Sequence, residues 1–230
     1  MNKYIIKKDE HLVDINLLLD HLNGVVPRGI VHIGAHKGEE VDSYLERGFQ
    51  NILLIEANPD LCSDLRAKFK NDKRVKVASY AVTSENAPIE FYLHQSQSGS
   101  IESSSIMKMK DLKEIVKTLT TPKSIQVEGI KLQDLFSQKD YDISLYNVLT
   151  IDIQGAELNA LIGAENILSG FQAIITEVNL IEMYESGKTE DRINALLEKH
   201  GFENKFSIYH ELYNDEGRFP AWGETIFIQR

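Results

Sequence analysis

Short, unbroken apolar runs that recur along a chain, each followed by a helical pattern, leave few folds open. From Pro27 onward this sequence follows that rule. Gly29-Ile30-Val31-His32-Ile33 and Ile52-Leu53-Leu54-Ile55 are the first two runs. Neither alternates apolar with polar, so each reads as a strand buried on both faces, as in a parallel sheet. Further strands are predicted at Val75 to Tyr80, Ile89 to Leu93, Ile125 to Val127, Asn147 to Ile151, Ala173 to Val178, Lys205 to Tyr209 and Thr225 to Ile228. Helical spacing falls between them, from about Glu39 to Glu46, Pro59 to Phe69, Ala156 to Leu168 and Thr189 to His200. Strands alternating with helices predict an α/β fold, a doubly wound and mostly parallel sheet with helices on both faces. Ligands in such sheets bind beyond the carboxyl ends of the strands, where the strand order reverses.

The 230 residues fit one domain. Residues 1–28 form an N-terminal helical segment, with Leu12, Ile15, Leu18, Leu19 and Leu22 at helical spacing between Asp9 and Leu22. It is expected to pack on a domain spanning 29–230. The stretch from Gln95 to Ser105 is polar and serine-rich, the composition of an exposed loop. No run approaches eighteen apolar residues, and the charged opening decapeptide is unlike a signal peptide. With Cys62 as the single cysteine, a reducing and cytoplasmic setting is expected. Net charge is −10, from 35 acidic and 25 basic residues. The densest basic stretch, Lys108 to Lys117, is interleaved with Asp111 and Glu114 and reads as a solvated helix face, so nucleic acid is not the expected partner.

Two turns carry chemistry. In the first, Gly34-Ala35-His36-Lys37-Gly38 joins a strand to a helix, where glycines allow a tight turn and close approach of a ligand. Amides at the start of that helix can hold a carboxylate. Glu56 ends the next strand about twenty residues on, where a carboxylate suits the two hydroxyls of a ribose. The pattern lacks the Gly-x-Gly-x-x-Gly spacing of dinucleotide sites, because His36 stands where the second glycine would be. In the second turn, Asp152 ends a middle strand ahead of Gln154-Gly155, on the same edge of the sheet. It either takes a proton from an acceptor hydroxyl or caps the following helix, and spacing alone leaves both readings open. Glu157, in the first turn of that helix, reads as a dipole-stabilising residue. Glu177 ends the next strand and is a second acid on this edge. His36 is a candidate contact to cofactor or substrate, His32 a hydrogen-bonded core residue, and His94 a spare base. Ser103-Ser104-Ser105 can donate hydrogen bonds to a polar substrate, although a flexible loop is the default. No histidine or acid spacing matches a metal site.

These residues resemble the FkbM family of methyltransferases from about Gly29 to the C-terminus. The resemblance rests on Ile33-Gly34-Ala35-His36-Lys37-Gly38, Ile55-Glu56-Ala57-Asn58-Pro59, Ser103-Ser104-Ser105, Ile151-Asp152-Ile153-Gln154-Gly155-Ala156-Glu157-Leu158, Thr176-Glu177-Val178-Asn179 and Trp222-Gly223-Glu224. It implies the class I, Rossmann-like methyltransferase sheet of seven strands, with an antiparallel last strand. It implies S-adenosylmethionine held by Gly34, Ala35, His36, Gly38, Glu56, Ala57 and Asp152, with the adenine near Tyr80-Ala81. It also implies O-methylation of a sugar or glycoconjugate hydroxyl, with Asp152 and Gln154 beside the transferred methyl. Four positions depart from the usual pattern. His32 replaces an acid, His36 an asparagine, Thr150 a lysine and Gln154 a glutamate. Glutamine cannot act as a base, which leaves Asp152 as leading catalyst, with His36, His94 and Glu177 behind it. Substrate contacts are assigned to His94, Ser104, Ser105 and Gln154. Two alternatives stand beside this reading, a nicotinamide-dependent oxidoreductase and a non-catalytic S-adenosylmethionine-binding module.

Overall fold

The computed structural model describes residues 4–7, 13–93, 104–107, 123–182, 184, 189–214 and 217–230. The chain begins with β1 (Tyr4–Lys7) and α1 (Ile15–Asp20), then runs β2 (Gly29–Ile33), α2 (Val41–Glu46), β3 (Asn51–Glu56), α3 (Pro59–Lys68) and β4 (Val75–Ser79). A smaller excursion follows, of β5 (Ala81–Val82), β6 (Pro88–Leu93), β7 (Lys123–Ile130) and α4 (Leu132–Leu135). The main alternation resumes with β8 (Val148–Ile151), α5 (Glu157–Ile162), β9 (Ala173–Asn179), α6 (Glu190–Lys199), β10 (Phe202–Asn214) and β11 (Gly217–Gln229).

The main sheet has the order β1-β10-β11-β9-β8-β2-β3-β4. Pairings among β4, β3, β2, β8 and β9 are parallel, whereas β11 lies antiparallel between β9 and β10. This is the expected seven-stranded, mostly parallel sheet, with an eighth strand at one edge. That strand is β1, paired in parallel with β10, and it corrects the reading of residues 1–28 as helical alone. Tyr4-Ile5-Ile6 is a short β-favouring run whose flanking lysines hid it. The helix in this segment is also shorter than its apolar spacing implied. It starts after Asp14, whose side chain accepts from the Asn16 amide, 2.9 Å. The stretch 8–12 lies outside the described residues, as does Lys108 to Lys117.

Every residue of β2, β8 and β9 is buried. Their side chains alternate between two cores. Val31, Ile33, Leu149 and Ile151 pack on one face, and Ile30, Ile52, Leu54 and Val148 on the other. Asn147 ties the bottom of the sheet. Its Oδ1 accepts from the amides of Arg28 and Gly29, and its Nδ2 donates to Val26 O and Gln172 Oε1. The helix expected over Ala156 to Leu168 stops at Ile162, followed by a 3-10 turn over Glu165–Gly170. The backbone of Thr83 crosses there so closely that a Cβ on Gly163 would lie 2.1 Å from its carbonyl oxygen. From β2 the chain winds outward through β3 and β4, and from β8 it winds the other way. The reversal lies between the carboxyl ends of β2 and β8, where Gly34 and Asp152 stand.

Candidate active site

The turn after β2 is held by its own chain. Gly34 and Ala35 amides donate to Ile55 O, and the Gly38 amide donates to Ala35 O. The His36 amide donates to Glu56 Oε2, 2.9 Å, and the Lys37 amide to Glu39 Oε2, 3.2 Å. The amides of residues 34–38 are thus all used internally. Gly34 has φ +88°, and a Cβ on it would lie 1.8 Å from the carbonyl oxygen of Asp152. Contact between the two turns is therefore one physical reason for this glycine. His36 has a left-handed φ of +45°, a strained position for a non-glycine residue. Its Nδ1 lies 3.3 Å from Glu39 Oε1, and its Nε2 is buried without a hydrogen-bond partner among the described residues.

Glu56 is buried, with Oε2 taking the His36 amide and Oε1 the Asn58 amide, 2.8 Å. Burial pushes its carboxyl up, and the amides of Asn58 and His36 offset part of the rise. Ala57 follows it, partly buried, and Tyr80 donates its amide to Glu56 O. Tyr80 and Ala81 therefore stand beside Glu56, at the end of β4. His32 is a core residue, as expected. Its Nδ1 lies 3.1 Å from the buried hydroxyl of Tyr44.

The turn after β8 separates the two readings of Asp152. Its capping positions are taken by another side chain. Glu157, fully buried, reaches back so that Oε1 accepts from Ile153 N and Gly155 N, while Oε2 also accepts from Gly155 N. Glu157 is therefore the anchor of this turn rather than a surface dipole partner, a correction to its sequence reading. Burial, with the Asp152 charge adding, pushes its carboxyl up to about 7. Asp152 is left exposed at the carboxyl end of β8, accepting only from Gln154 Nε2, 2.9 Å, among the described residues.

Gln154, also left-handed with φ +56°, joins the acids. Its Nε2 faces Asp152 Oδ1 and Glu177 Oε2, the latter at 3.3 Å, and its Oε1 accepts from Tyr184 Oη, 2.9 Å. Glu177 is buried, and its carboxyl is pushed well above the usual range by burial and by the Glu157, Asp152 and Glu224 charges. Ser105 is buried rather than part of an exposed loop. It bridges to Tyr92, and its hydroxyl donates to Ile153 O, 3.0 Å. Ser104 precedes it, whereas Ser103 and His94 lie outside the described residues.

The structure thus brings His36, Glu56, Asp152, Gln154, Glu177 and Ser105 to one edge of the sheet. Sequence reasoning missed Tyr184 and His210. The Tyr184 ring covers Gly155, where a Cβ would lie 2.4 Å from it. His210 lies on β10 with its Nε2 3.5 Å from Glu224 Oε2. No local motif flags either, and His210 is placed by a strand remote in sequence from the acids.

The model of the methyltransferase FkbM domain matches residues 32–203. Among solved structures, an FkbM methyltransferase from Methylobacillus flagellatus KT aligns over 88% of this chain and 43% of its own, with TM-score 0.50 and 13% identity. This chain therefore spans less than half of that protein. A precorrin-6y C5,15-methyltransferase from Geobacter metallireducens GS-15 aligns over 97% of this chain and 93% of its own, with TM-score 0.50 and 12% identity. The methyltransferase domain of a bacterial Hen1 protein aligns over 93% and 96%, with TM-score 0.50 and 12% identity. At these identities the structures establish the shared fold alone. No curated protein matches the sequence. The family match covers most of the chain, including both turns and the acids at the ends of β3, β8 and β9. The chain belongs to the FkbM methyltransferase domain family.

Proposed function

We propose that this methyltransferase acts on a hydroxyl of a sugar or glycoconjugate, with Asp152 as the base. The observation that carries the reading is the division of labour in the β8 turn. Glu157 takes the amides that an N-capping Asp152 would have taken, which leaves Asp152 exposed at the switch point. A sugar hydroxyl is a very weak acid, so removing its proton during transfer lowers the barrier. The Asp152 carboxylate accepts that proton. His36 and Glu177 are the alternative bases. Glu177 is the weaker one, because it is buried among other acids whereas Asp152 is exposed.

The residues of the first turn fit S-adenosylmethionine. Each oxygen of Glu56 takes one amide and keeps a lone pair, as a ribose diol requires, and His36 Nε2 is a buried polar atom still lacking a partner. Gly34, Ala35, His36, Gly38, Glu56 and Ala57 would hold the cofactor, with Tyr80 and Ala81 along the adenine and Asp152 at the far end. When bound, S-adenosylmethionine supplies an electrophilic methyl group on a sulfonium. Gln154 keeps Asp152 and Glu177 apart by donating to both, a task that a glutamate in its place could not perform. Ser104, Ser105, Gln154 and His94 are assigned to the acceptor. In this reading residues 29–230 form the catalytic domain and 1–28 pack on it. The acidic balance of the chain disfavours a nucleic-acid acceptor.

The test is transfer of tritiated methyl from S-adenosylmethionine to a panel of glycosides, with wild type and Asp152→Asn. The expected result is an O-methyl glycoside and a rate about 10² to 10⁴ lower for the variant, the usual worth of a general base. Methylation confined to nitrogen or to RNA, or an unimpaired Asp152→Asn, contradicts the proposal.

A further inference from the structure

Beyond Asp152, the same edge of the sheet carries a second set of polar groups that the proposed methyl transfer does not use. Across the β9–β11 pair, Glu177 is the register partner of Glu224, and Asn179 that of Trp222. Residues two apart on a strand share a face, and so do register partners, so these four side chains project to one side. His210 on β10 is the register partner of Trp222 and stacks on its indole, with centroids 5.0 Å apart and an interplanar angle of 13°. Like charges placed opposite each other on a sheet repel. Their persistence here, in a buried place, calls for a compensating group.

Among the described residues His210 supplies this only in part, with its Nε2 3.5 Å from Glu224 Oε2, where it offsets some of the effect of burial on that carboxyl. Asn179 is fully buried and turns its Nδ2 toward Glu177 Oε1, 3.4 Å, yet its Oδ1 has no hydrogen-bond partner among the described residues. Glu224 Oε2 and His210 Nε2 likewise make no hydrogen bond among the described residues. Buried polar atoms left without partners demand an explanation. Here the unsatisfied acceptors are a carboxylate oxygen and an amide oxygen beside a second carboxylate, with an aromatic face alongside. The missing partner is thus a donor and a cation. No three His, Cys, Asp or Glu side chains among the described residues are grouped to hold a metal ion. An ammonium group matches better. It has three N–H donors for Glu177, Glu224 and Asn179 Oδ1, and it is attracted to an indole face.

We propose that Glu177, Asn179, Trp222 and Glu224 form a subsite for a protonated amine on the methyl acceptor, so that the acceptor is an amino sugar or an amine-bearing glycoconjugate. The inference rests on the acceptor reading given above. Gln154 links the two parts, since it donates to both Asp152 and Glu177. An amine seated on Glu177 would hold a neighbouring hydroxyl of the same sugar toward Asp152. The specificity would come from leaving these buried acceptors unpaired when the amine is missing, which penalises a neutral analogue.

The test is a two-by-two set of probes, titrated into the protein saturated with S-adenosylhomocysteine at pH 6.5 and followed by ligand-observed NMR. Methyl 2-amino-2-deoxyglucoside is compared with methyl glucoside, and n-propylamine with n-propanol. Each amine is expected to bind at least tenfold more tightly than its alcohol. In Glu224→Gln the preference should shrink at least fivefold while S-adenosylhomocysteine affinity is unchanged. Equal affinity within both pairs, or a preference untouched by Glu224→Gln, overturns the subsite. The sugar reading is judged separately, by glycosides against propyl compounds. If the amines win but the glycosides gain nothing over them, the subsite stands and the sugar assignment falls.

Discussion

Replacing Glu157 with glutamine separates the two consequences of burying a carboxylate beneath a catalytic turn. Folded, this carboxyl is pushed up to about 7 from its ordinary 4.5. The folded chain therefore holds the proton between those pH values, whereas the unfolded chain has released it. Stability falls as pH rises through that window, because the unfolded state binds fewer protons there. For one group shifted this far, the loss between pH 5 and pH 8 is on the order of 2 to 3 kcal/mol. Glutamine has no such proton. It also has one acceptor oxygen where Glu157 uses two, so contact with the Gly155 and Ile153 amides is weakened at every pH. The variant should lose stability at pH 5 and be roughly 2 to 3 kcal/mol less impaired, relative to wild type, at pH 8. Urea unfolding of both proteins at the two pH values measures this directly. The difference cancels contributions from Glu56 and Glu224, which are raised in the same direction, whereas Glu177, raised partly by the Glu157 charge, shifts with the variant. Equal destabilisation at both pH values would refute the claim that Glu157 is a buried, proton-holding anchor.

Two further perturbations test the frame around the site. Gly34→Ala forces a Cβ into the Asp152 carbonyl at a left-handed φ, so the β2 and β8 turns must separate. S-adenosylmethionine binding by calorimetry should be lost and the melting temperature lowered, and wild-type behaviour in both would refute the turn-to-turn contact. Asn147→Ala leaves the Arg28 and Gly29 amides without their acceptor. It should cost about 2 to 4 kcal/mol in urea unfolding, from the usual penalty for unsatisfied buried groups, and a loss below about 1 kcal/mol would contradict the bracing role.

Much of the fold was legible because strands buried on both faces write themselves as continuous apolar runs. Ile30 to Ile33, Ile52 to Ile55 and Ala173 to Val178 are such runs, and all three lie inside the sheet rather than at its edges. The edges were harder to read. Tyr4–Lys7 is short and flanked by lysines, and its pairing with β10 is a contact 203 residues away. The helix after Asp152 ends at Ile162, short of Leu168, and the close passage of the Thr83 backbone over Gly163 is invisible in the local spacing. The acids at strand ends were visible from spacing, since a parallel sheet puts its carboxyl ends on one edge. Which acid anchors and which stands free was not. Asp152 and Glu157 exchange the roles that propensity would give them, because Glu157 is buried against the turn and Asp152 is not. His210 and Trp222 required the β10–β11 register, which no periodicity in the sequence fixes.

The most direct measurement of the central claim is calorimetric titration of wild type and Glu56→Gln with S-adenosylmethionine. The account predicts binding by wild type and an affinity reduced roughly ten- to hundredfold in the variant, the worth of charge-assisted hydrogen bonds from a diol. Equal affinity in both proteins, or no binding by wild type, would contradict the assignment of this edge as the cofactor site.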